Sequence, residues 1–555
     1  MERAAQLERL RRESFDVLVV GGGATGAGTA LDAVSRGLKT ALLERDDFSA
    51  GTSSRSTKLI HGGVRYLEGA VKRLDRTQFN LVRDALGERA TLLRLAPHLA
   101  HPLPILTPLY SWFQIPYMLT GLKLYDALAG RANLRGSRFV SRKEALRRFP
   151  MLKKEGLRGG VLYYDGQFDD ARMNVALALT AAEEGAAVAN HVEVTGLLKE
   201  VGRVRGAAVR DTLTGESWDV RAKTVVNATG PFSDAIRKLD DEAAPQMLTA
   251  SSGVHVVLDG RFSPPDTGLL IPQTDDGRVL FLLPWLGYTL FGTTDNPARI
   301  EANPEVSDAD IDYLLSHLDK YFDVPATRGD VLATWSGLRP LVSNPKAADT
   351  ARLSRDHVIN TSMSGLVTIA GGKWTTYRKM ALDTVDEAMR VGGLQAGASR
   401  TETLPLVGAA GFRPDGAARL TREFGLEADV AEYLNRAYGD QAGKIAELSK
   451  TYPERLVPGH PHLGAEVIYS ATHEGACTVT DFLARRTRLA FLDQGAALGA
   501  LPKVIALLAE TLAWDEARRQ EEQAYTETYL RGRTRETPVT VGADSAGWDA
   551  TLQGH

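Results

Sequence analysis

A glycine signature near the N-terminus constrains this chain more than any other feature. Gly21, Gly23 and Gly26 form G-x-G-x-x-G directly after an apolar run at 15–20, residues 26–36 continue as a small-residue helix, and a second apolar run follows at 40–44. That order predicts a βαβ unit. The glycines, with Ala24 and Thr25 between them, allow a tight turn and close approach to a pyrophosphate. The helix N-terminus adds positive dipole, and Glu44 ends the second strand where it can accept from a ribose hydroxyl. A Gly-rich turn without a ligand is the competing reading, and the flanking strand, helix and acidic residue argue against it.

This loop alone does not separate NAD from FAD, since both place adenosine diphosphate there. Two later strands also end in small residues, at 225–230 with Ala228 and Gly230, and at 368–372 with Gly371 and Gly372. Three such approaches suit an extended cofactor held by distant segments, and they resemble the FAD-binding fold of glutathione-reductase-like flavoproteins.

Elsewhere the pattern is coarser. Residues 188–220 alternate apolar and polar with turns at Gly202 and Thr214-Gly215, which predicts an antiparallel meander, and 248–294 reads as strands of a second sheet. After about 401 the periodicity is helical to 529. The charged residues 1–14 lack the apolar stretch of a secretory signal and read as a short surface helix. The single cysteine, Cys477, excludes an internal disulfide and a thiolate metal cluster and suits a reducing compartment; no metal site is expected. With 66 Lys and Arg against 69 Asp and Glu, the chain lacks the basic excess of a nucleic-acid-binding protein.

Four motifs then carry a specific resemblance: residues 52–68 (TSSRSTKLIHGGVRYLE), Ser336-Gly337-Leu338-Arg339-Pro340-Leu341, Ser354-Arg355-Asp356, and the stretch 371–378 with Gly372, Lys373 and Thr375. Together they are similar to FAD-dependent glycerol-3-phosphate dehydrogenases, the quinone-linked family, and residues 481–488 resemble that family's C-terminal domain. The resemblance implies an α/β fold: a glutathione-reductase-like FAD-binding domain with an antiparallel-sheet substrate cap, followed by an α-helical C-terminal domain. FAD-binding segments are expected at about 15–100, 150–247 and 330–400, the cap at about 101–149 and 248–329, helices at 401–530 and a flexible tail at 531–555.

The resemblance also implies roles. Guanidinium forks suit a phosphate dianion, so Arg65, Arg339 and Arg355, with Tyr66, are expected to bind glycerol 3-phosphate, Arg339 nearest the reacting carbon. Oxidation at C2 needs a base, and His61 titrates in the right range to serve. Lys373, at a Gly-Gly turn opening a helix, is expected to stabilise negative charge on substrate or flavin. Thr52, Ser53, Ser56, Lys58, Leu59 and Val192 carry over as cofactor contacts beside the glycine motifs. Arginines paired on the surface, a structural loop histidine and a Ser/Thr-rich surface loop are the plain alternatives for each in isolation. Cys477 lies far in sequence from every flavin motif, so noncovalent FAD is expected.

An oxidase using oxygen shares this site pattern, but its known members carry an insertion that is not evident at 299–335. Amine or amino-acid oxidases would not need so many cations on one substrate, and a non-catalytic flavin-binding scaffold would lack His61, Arg339 and Lys373. Electrons are expected to pass to a quinone from a peripheral position on the cytoplasmic face of the cell membrane, in a homodimer. No segment reads as a spanning helix. Residues 104–122 carry no charge, yet Pro104, Pro108 and Pro116 argue against a spanning helix and for a loop-and-helix cap, with a membrane-dipping surface as the alternative.

Overall fold

A computed structural model describes residues 1–63, 76–272, 274, 277–342 and 357–531. Arg65, Tyr66, Arg355 and the expected tail beyond 531 lie outside the described residues.

The expected βαβ unit forms as strand Ser14–Val20, helix Ala24–Ser35 and strand Thr40–Leu43. It opens an eight-stranded sheet running His357–Thr361, Val367–Gly371, Ser217–Asn227, Ser14–Val20, Thr40–Leu43, Ala187–Ala189. The pairs from Val367–Gly371 to Ala187–Ala189 are parallel. Parallel strands are covered on both faces, which is why their sequences are continuously apolar. Val17 and Val19 enter a core with Ala27, Ala30 and Leu31, while Phe15, Leu18 and Val20 enter the opposite core. The predicted meander, Val192–Glu200, Arg203–Asp211 and Ser217–Asn227, is antiparallel and contributes Val194, Val209 and Val220 to that second core. Helix Arg3–Arg12 buries Leu7 and Leu10 in it.

The ten-stranded second sheet runs Asn296–Ala298, Leu248–Leu258, Tyr288–Gly292, Leu280–Trp285, Gly268–Ile271, Ala100–Leu109, Gly159–Phe168, Leu59–Ile60. Strand Val331–Val342 joins Leu248–Leu258, and Arg138–Ser141 joins Gly159–Phe168. Leu59–Ile60, Gly159–Phe168 and Val331–Val342 come from segments expected in the FAD-binding part. Apolar runs show that a strand exists but not which sheet it joins.

Residues 104–122 also differ from the loop-and-helix expectation. Strand Ala100–Leu109 occupies the middle of the second sheet despite Pro102, Pro104 and Pro108. These prolines sit at alternate positions, so the missing N–H donors fall on one edge of the strand. It pairs along its whole length with Gly159–Phe168, but with Gly268–Ile271 only at Ile105 and Leu106. Helix Gln114–Ala129 follows, and Trp112, Phe113 and Tyr117 at its start are 61%, 90% and 53% exposed.

C-terminal helices cover one face of the second sheet, where Trp285 and Trp335 pack with Phe482, Leu483, Phe491 and Val504. Helix Asp308–Tyr321 covers the other through Leu314, Leu315 and Leu318. Helix Gln494–Leu512 is, by length and composition, long and apolar enough to cross a membrane. It contains Pro502 and buries Ala497, Ala500, Val504 and Leu508 in the C-terminal core.

Candidate active site

The glycine loop is dictated by backbone crowding. Gly21 adopts φ +106°, and a Cβ there would lie 2.6 Å from the Ala228 carbonyl oxygen; a Cβ at Gly26 would lie 1.8 Å from the oxygen of Gly21. Gly23 caps helix Ala24–Ser35. Glu44 reaches back to the loop: its carboxylate accepts from Gly22 N–H at 2.6 Å and from Asp46 N–H at 2.9 Å. Burial, followed by the Asp46 charge, raises its pKa, and the carboxylate keeps lone pairs for a ribose hydroxyl. Val192 donates its N–H to the Glu44 carbonyl, so it lies beside the same end of the loop. The close turn, the helix N-terminus and the acidic strand end together suit the adenosine diphosphate half of FAD.

Two further loops meet this one. Ser53 Oγ accepts from Ala24 N–H at 2.9 Å, and Ala228 N–H donates to Val20 O at 2.8 Å. Asn227 donates to the Ser233 carbonyl and to Thr368 Oγ1, linking adjacent strand ends, and Gly230 takes φ +58° just beyond. Gly371 and Gly372 both take φ +77°. A side chain at Gly372 would strike Met380 Sδ at 2.4 Å.

The 52–61 loop is tied to both sheets. Thr52 Oγ1 donates to Leu338 O at 2.7 Å, next to Arg339; Trp374 Nε1 donates to Ser53 O at 2.9 Å, next to Lys373; His61 N–H donates to Thr375 Oγ1 at 3.3 Å. The backbones carrying His61, Arg339 and Lys373, distant in sequence, are thereby brought to one junction. Arg339 is steadied by Asp295 at 3.1 Å and by the carbonyls of Ser252 and Thr294. Gly253 makes room for it, since a Cβ there would lie 2.4 Å from Arg339 Nη2.

Not every expected contact faces this junction. The Lys58 ammonium is fully buried, ion-paired to Asp170 at 2.7 Å and bonded to Ser54 O at 2.8 Å. It lies 4.4 Å over the Trp335 ring and 5.2 Å over Trp285. Its side chain therefore braces the loop from behind. Burial lowers its pKa to about 7, Asp170 opposing and Arg488 adding to that shift. The Ser56 hydroxyl likewise donates to Asp170 at 2.8 Å, and Leu59 is buried in its strand. His255 stacks on Trp335 at 4.0 Å with Nε2 3.0 Å from Thr57 Oγ1. Burial, then Lys58 and Arg339, hold its pKa far below the usual range, so it stays neutral.

Asp170 and Asp295 were not anticipated. The pair Asp169-Asp170 opening helix Asp170–Glu183, with Asp169 accepting from Ala171 and Arg172 N–H, carries a capping signature that could have drawn notice; nothing around Asp295 signals its arginine partner.

The C-terminal helices reach the same loop. Arg488 donates to Ser54 O at 2.7 Å and Asp170 at 3.2 Å, while Arg485 and Arg486 hold Asp47 at 2.6 and 2.8 Å. His191, Cys477 and Asp481 have potential ligand atoms within 4.8 Å of one another. They do not suit a metal: Asp481 already accepts from the Cys477 and Thr478 amides and Arg485, and burial pushes the Cys477 thiol up to about 12. Cys477 lies on none of the three cofactor loops.

Comparison with known proteins agrees with this architecture. Residues 16–378 match the family described as FAD dependent oxidoreductase, and 399–519 match the C-terminal domain of alpha-glycerophosphate oxidase. The mitochondrial glycerol-3-phosphate dehydrogenase of Homo sapiens is 52% identical over 544 residues, covering 95% of this chain and 75% of the relative. That of Arabidopsis thaliana is 47% identical over 552 residues, covering 95% and 88%. The glycerol-3-phosphate dehydrogenase of Bacillus halodurans, solved with FAD, superposes with a TM-score of 0.78 at 32% identity, covering 96% of this chain and 97% of that one.

Proposed function

The chain belongs to the FAD-dependent glycerol-3-phosphate dehydrogenase family, and from that premise we propose that it oxidises sn-glycerol 3-phosphate to dihydroxyacetone phosphate and hands the electrons to a membrane quinone. The observation that carries this reading is the junction at which the 52–61 loop is bonded both to Leu338, beside Arg339, and to the 374–375 turn, beside Lys373.

Gly21, Gly23, Ala24, Thr25, Gly26, Glu44 and Val192 hold the adenosine diphosphate end of FAD. Thr52, Ser53, Ser56, Lys58 and Leu59 shape its middle, the Lys58 side chain from behind the loop, and Ala228, Gly230, Gly372 and Thr375 complete the cradle. When bound, FAD supplies the hydride acceptor at N5. The substrate phosphate is held by Arg65 and Arg355 with Tyr66, in paired charge-assisted hydrogen bonds. Arg339, oriented by Asp295, lies nearest C2, and His61 takes the proton from the C2 hydroxyl, a contribution of about 10²- to 10⁴-fold in comparable enzymes. Lys373 stabilises the negative charge that develops on the substrate oxygen.

Trp112, Phe113 and Tyr117 support a peripheral position on the inner face of the cell membrane. They form an exposed aromatic edge, and the Arg158 guanidinium lies 5.9 Å over the Trp112 ring, a cationic neighbour suited to anionic headgroups. The family resemblance supports a homodimer. Turnover is tested with a short-chain quinone and with oxygen as alternative acceptors, while dihydroxyacetone phosphate and peroxide are measured. Quinone-dependent product without peroxide is expected; equally fast turnover on oxygen would reassign the chain to the oxidase reading. Replacing Trp112, Phe113 and Tyr117 together by Ala should release the protein from anionic vesicles, and unchanged flotation would remove this edge from the membrane contact.

A further inference from the structure

Two consecutive backbone amides at the candidate base are held by side chains from opposite sides. His61 N–H donates to Thr375 Oγ1, and Gly62 N–H donates to the hydroxyl of Tyr125 at 2.7 Å in a buried contact. Tyr125 belongs to helix Gln114–Ala129. Because Gly62 N–H can only donate, the tyrosine oxygen accepts there and must direct its own proton elsewhere, which it does: it donates to Asp165 Oδ1 at 2.9 Å. Asp165 is in turn held by Arg89 Nη1 at 2.7 Å, and Arg89 also donates to the carbonyls of Tyr164 and Ala132. Arg89, Tyr125 and Asp165 are all essentially fully buried.

This chain of bonds links four segments: helix Arg76–Leu95, helix Gln114–Ala129, strand Gly159–Phe168 and the turn after Leu59–Ile60. Contact at the turn is tight. A Cβ at Gly62 would lie 2.7 Å from Leu86 Cγ and 2.9 Å from the Tyr125 hydroxyl, so the main chain is pressed directly against that oxygen. Arg89 fixes the carboxylate, the carboxylate fixes the hydroxyl, and the hydroxyl fixes the peptide joining His61 to Gly62. The His61–Gly62 peptide then has a buried support built from Tyr125, Asp165 and Arg89.

We propose that Tyr125 is a positioning residue for the reaction: held by Asp165 and Arg89, its hydroxyl fixes the main chain at His61–Gly62 so that the His61 imidazole meets the substrate hydroxyl. The proposal rests on the reading of His61 as the proton acceptor. A base displaced by about 1 Å can lose roughly 10²-fold in rate, so loss of one hydroxyl at this support has a kinetic consequence separate from its effect on the fold.

The test uses the FAD-loaded enzyme and measures the limiting rate of anaerobic flavin reduction and the half-saturating glycerol 3-phosphate concentration. Four proteins are compared: wild type, Tyr125→Phe, His61→Gln and the double variant. Tyr125→Phe is expected to lower the limiting rate about tenfold or more, with half-saturation nearly unchanged, and to cost nothing further in the His61→Gln background, because both act through one group. Should Tyr125→Phe not fold, Asp165→Glu, which keeps a counter-charge for Arg89 but shifts the acceptor of the Tyr125 hydroxyl, is expected to show the same non-additivity with a smaller loss. Asp126→Asn, which weakens the hydrogen bonds to Ser137 from the same helix without touching Gly62, should leave the limiting rate at the wild-type value. If the losses at Tyr125 and His61 multiply, or if Tyr125→Phe reduces as fast as wild type while His61→Gln is slow, the positioning role is overturned and the base assignment stands. If His61→Gln is itself as fast as wild type, the base assignment fails and takes this proposal with it.

Discussion

Replacing Asp170 by Asn should cost the fold several kcal/mol, and more in acid than in base. The Asp170 carboxylate accepts from Ser56 N–H at 3.0 Å, Ser56 Oγ at 2.8 Å, Lys58 Nζ at 2.7 Å and Arg488 Nη2 at 3.2 Å, with the Lys58 and Asp170 side chains fully buried. The amide keeps the size and one acceptor but leaves Lys58 and Arg488 as buried cations without this counter-charge. Breaking a buried pair from one side typically costs about 3–5 kcal/mol. Lys58 has an escape that arginine lacks. Its pKa is already about 7 with Asp170 attracting the proton, so without the carboxylate it falls further and the amine is neutral by about pH 8.5.

The sign of the pH dependence follows. Between about 7 in the fold and the ordinary lysine value of 10.5, the unfolded chain binds the extra proton, so stability rises with pH through that window. In Asp170→Asn the window opens lower, so the variant already gains stability below about pH 7 where wild type does not. The deficit relative to wild type therefore shrinks as pH rises. Urea denaturation of the holoenzyme, followed by flavin fluorescence and circular dichroism at about pH 6 and 8.5, measures it. A deficit under about 1 kcal/mol at both values, or one that grows with pH, would show that the Asp170 charge does not hold Lys58 and Arg488 in the fold.

Other outcomes follow from single contacts. Gly26→Ala places a methyl where only 1.8 Å separates it from the Gly21 carbonyl, so the protein should purify with little FAD and rebind it weakly in a fluorescence titration. Asp295→Ala removes the partner that steadies Arg339, and KM for glycerol 3-phosphate should rise about tenfold with FAD content unchanged. Cys477→Ser should leave flavin stoichiometry and its release on denaturation unaltered, as the thiol is held at about 12 in a network away from the cofactor loops.

The βαβ opening was legible because parallel strands buried on both faces must be apolar throughout, and Gly26 meets the Gly21 carbonyl within the same loop, although the crowding of Gly21 itself comes from distant Ala228. Strand Ala100–Leu109 was hidden because its prolines look like breaks until their alternate spacing is set against full-length pairing on one edge and two paired residues on the other. The burial of Lys58 was hidden for a different reason. It sits in a Ser- and Thr-rich loop, but its burial comes from Asp170, Trp285 and Trp335, each more than a hundred residues away. Arg339 and Lys373 came from their motifs, whereas Asp295, Asp170 and Tyr125, which hold the site in place, have no spacing rule that connects them to it.

The most direct test of the account is anaerobic rapid mixing of the FAD-loaded protein with glycerol 3-phosphate and, separately, with unphosphorylated glycerol, following the visible flavin absorbance. The account predicts fast bleaching by the phosphate ester alone, with dihydroxyacetone phosphate formed in step. Bleaching by neither alcohol, or by both equally, would contradict it.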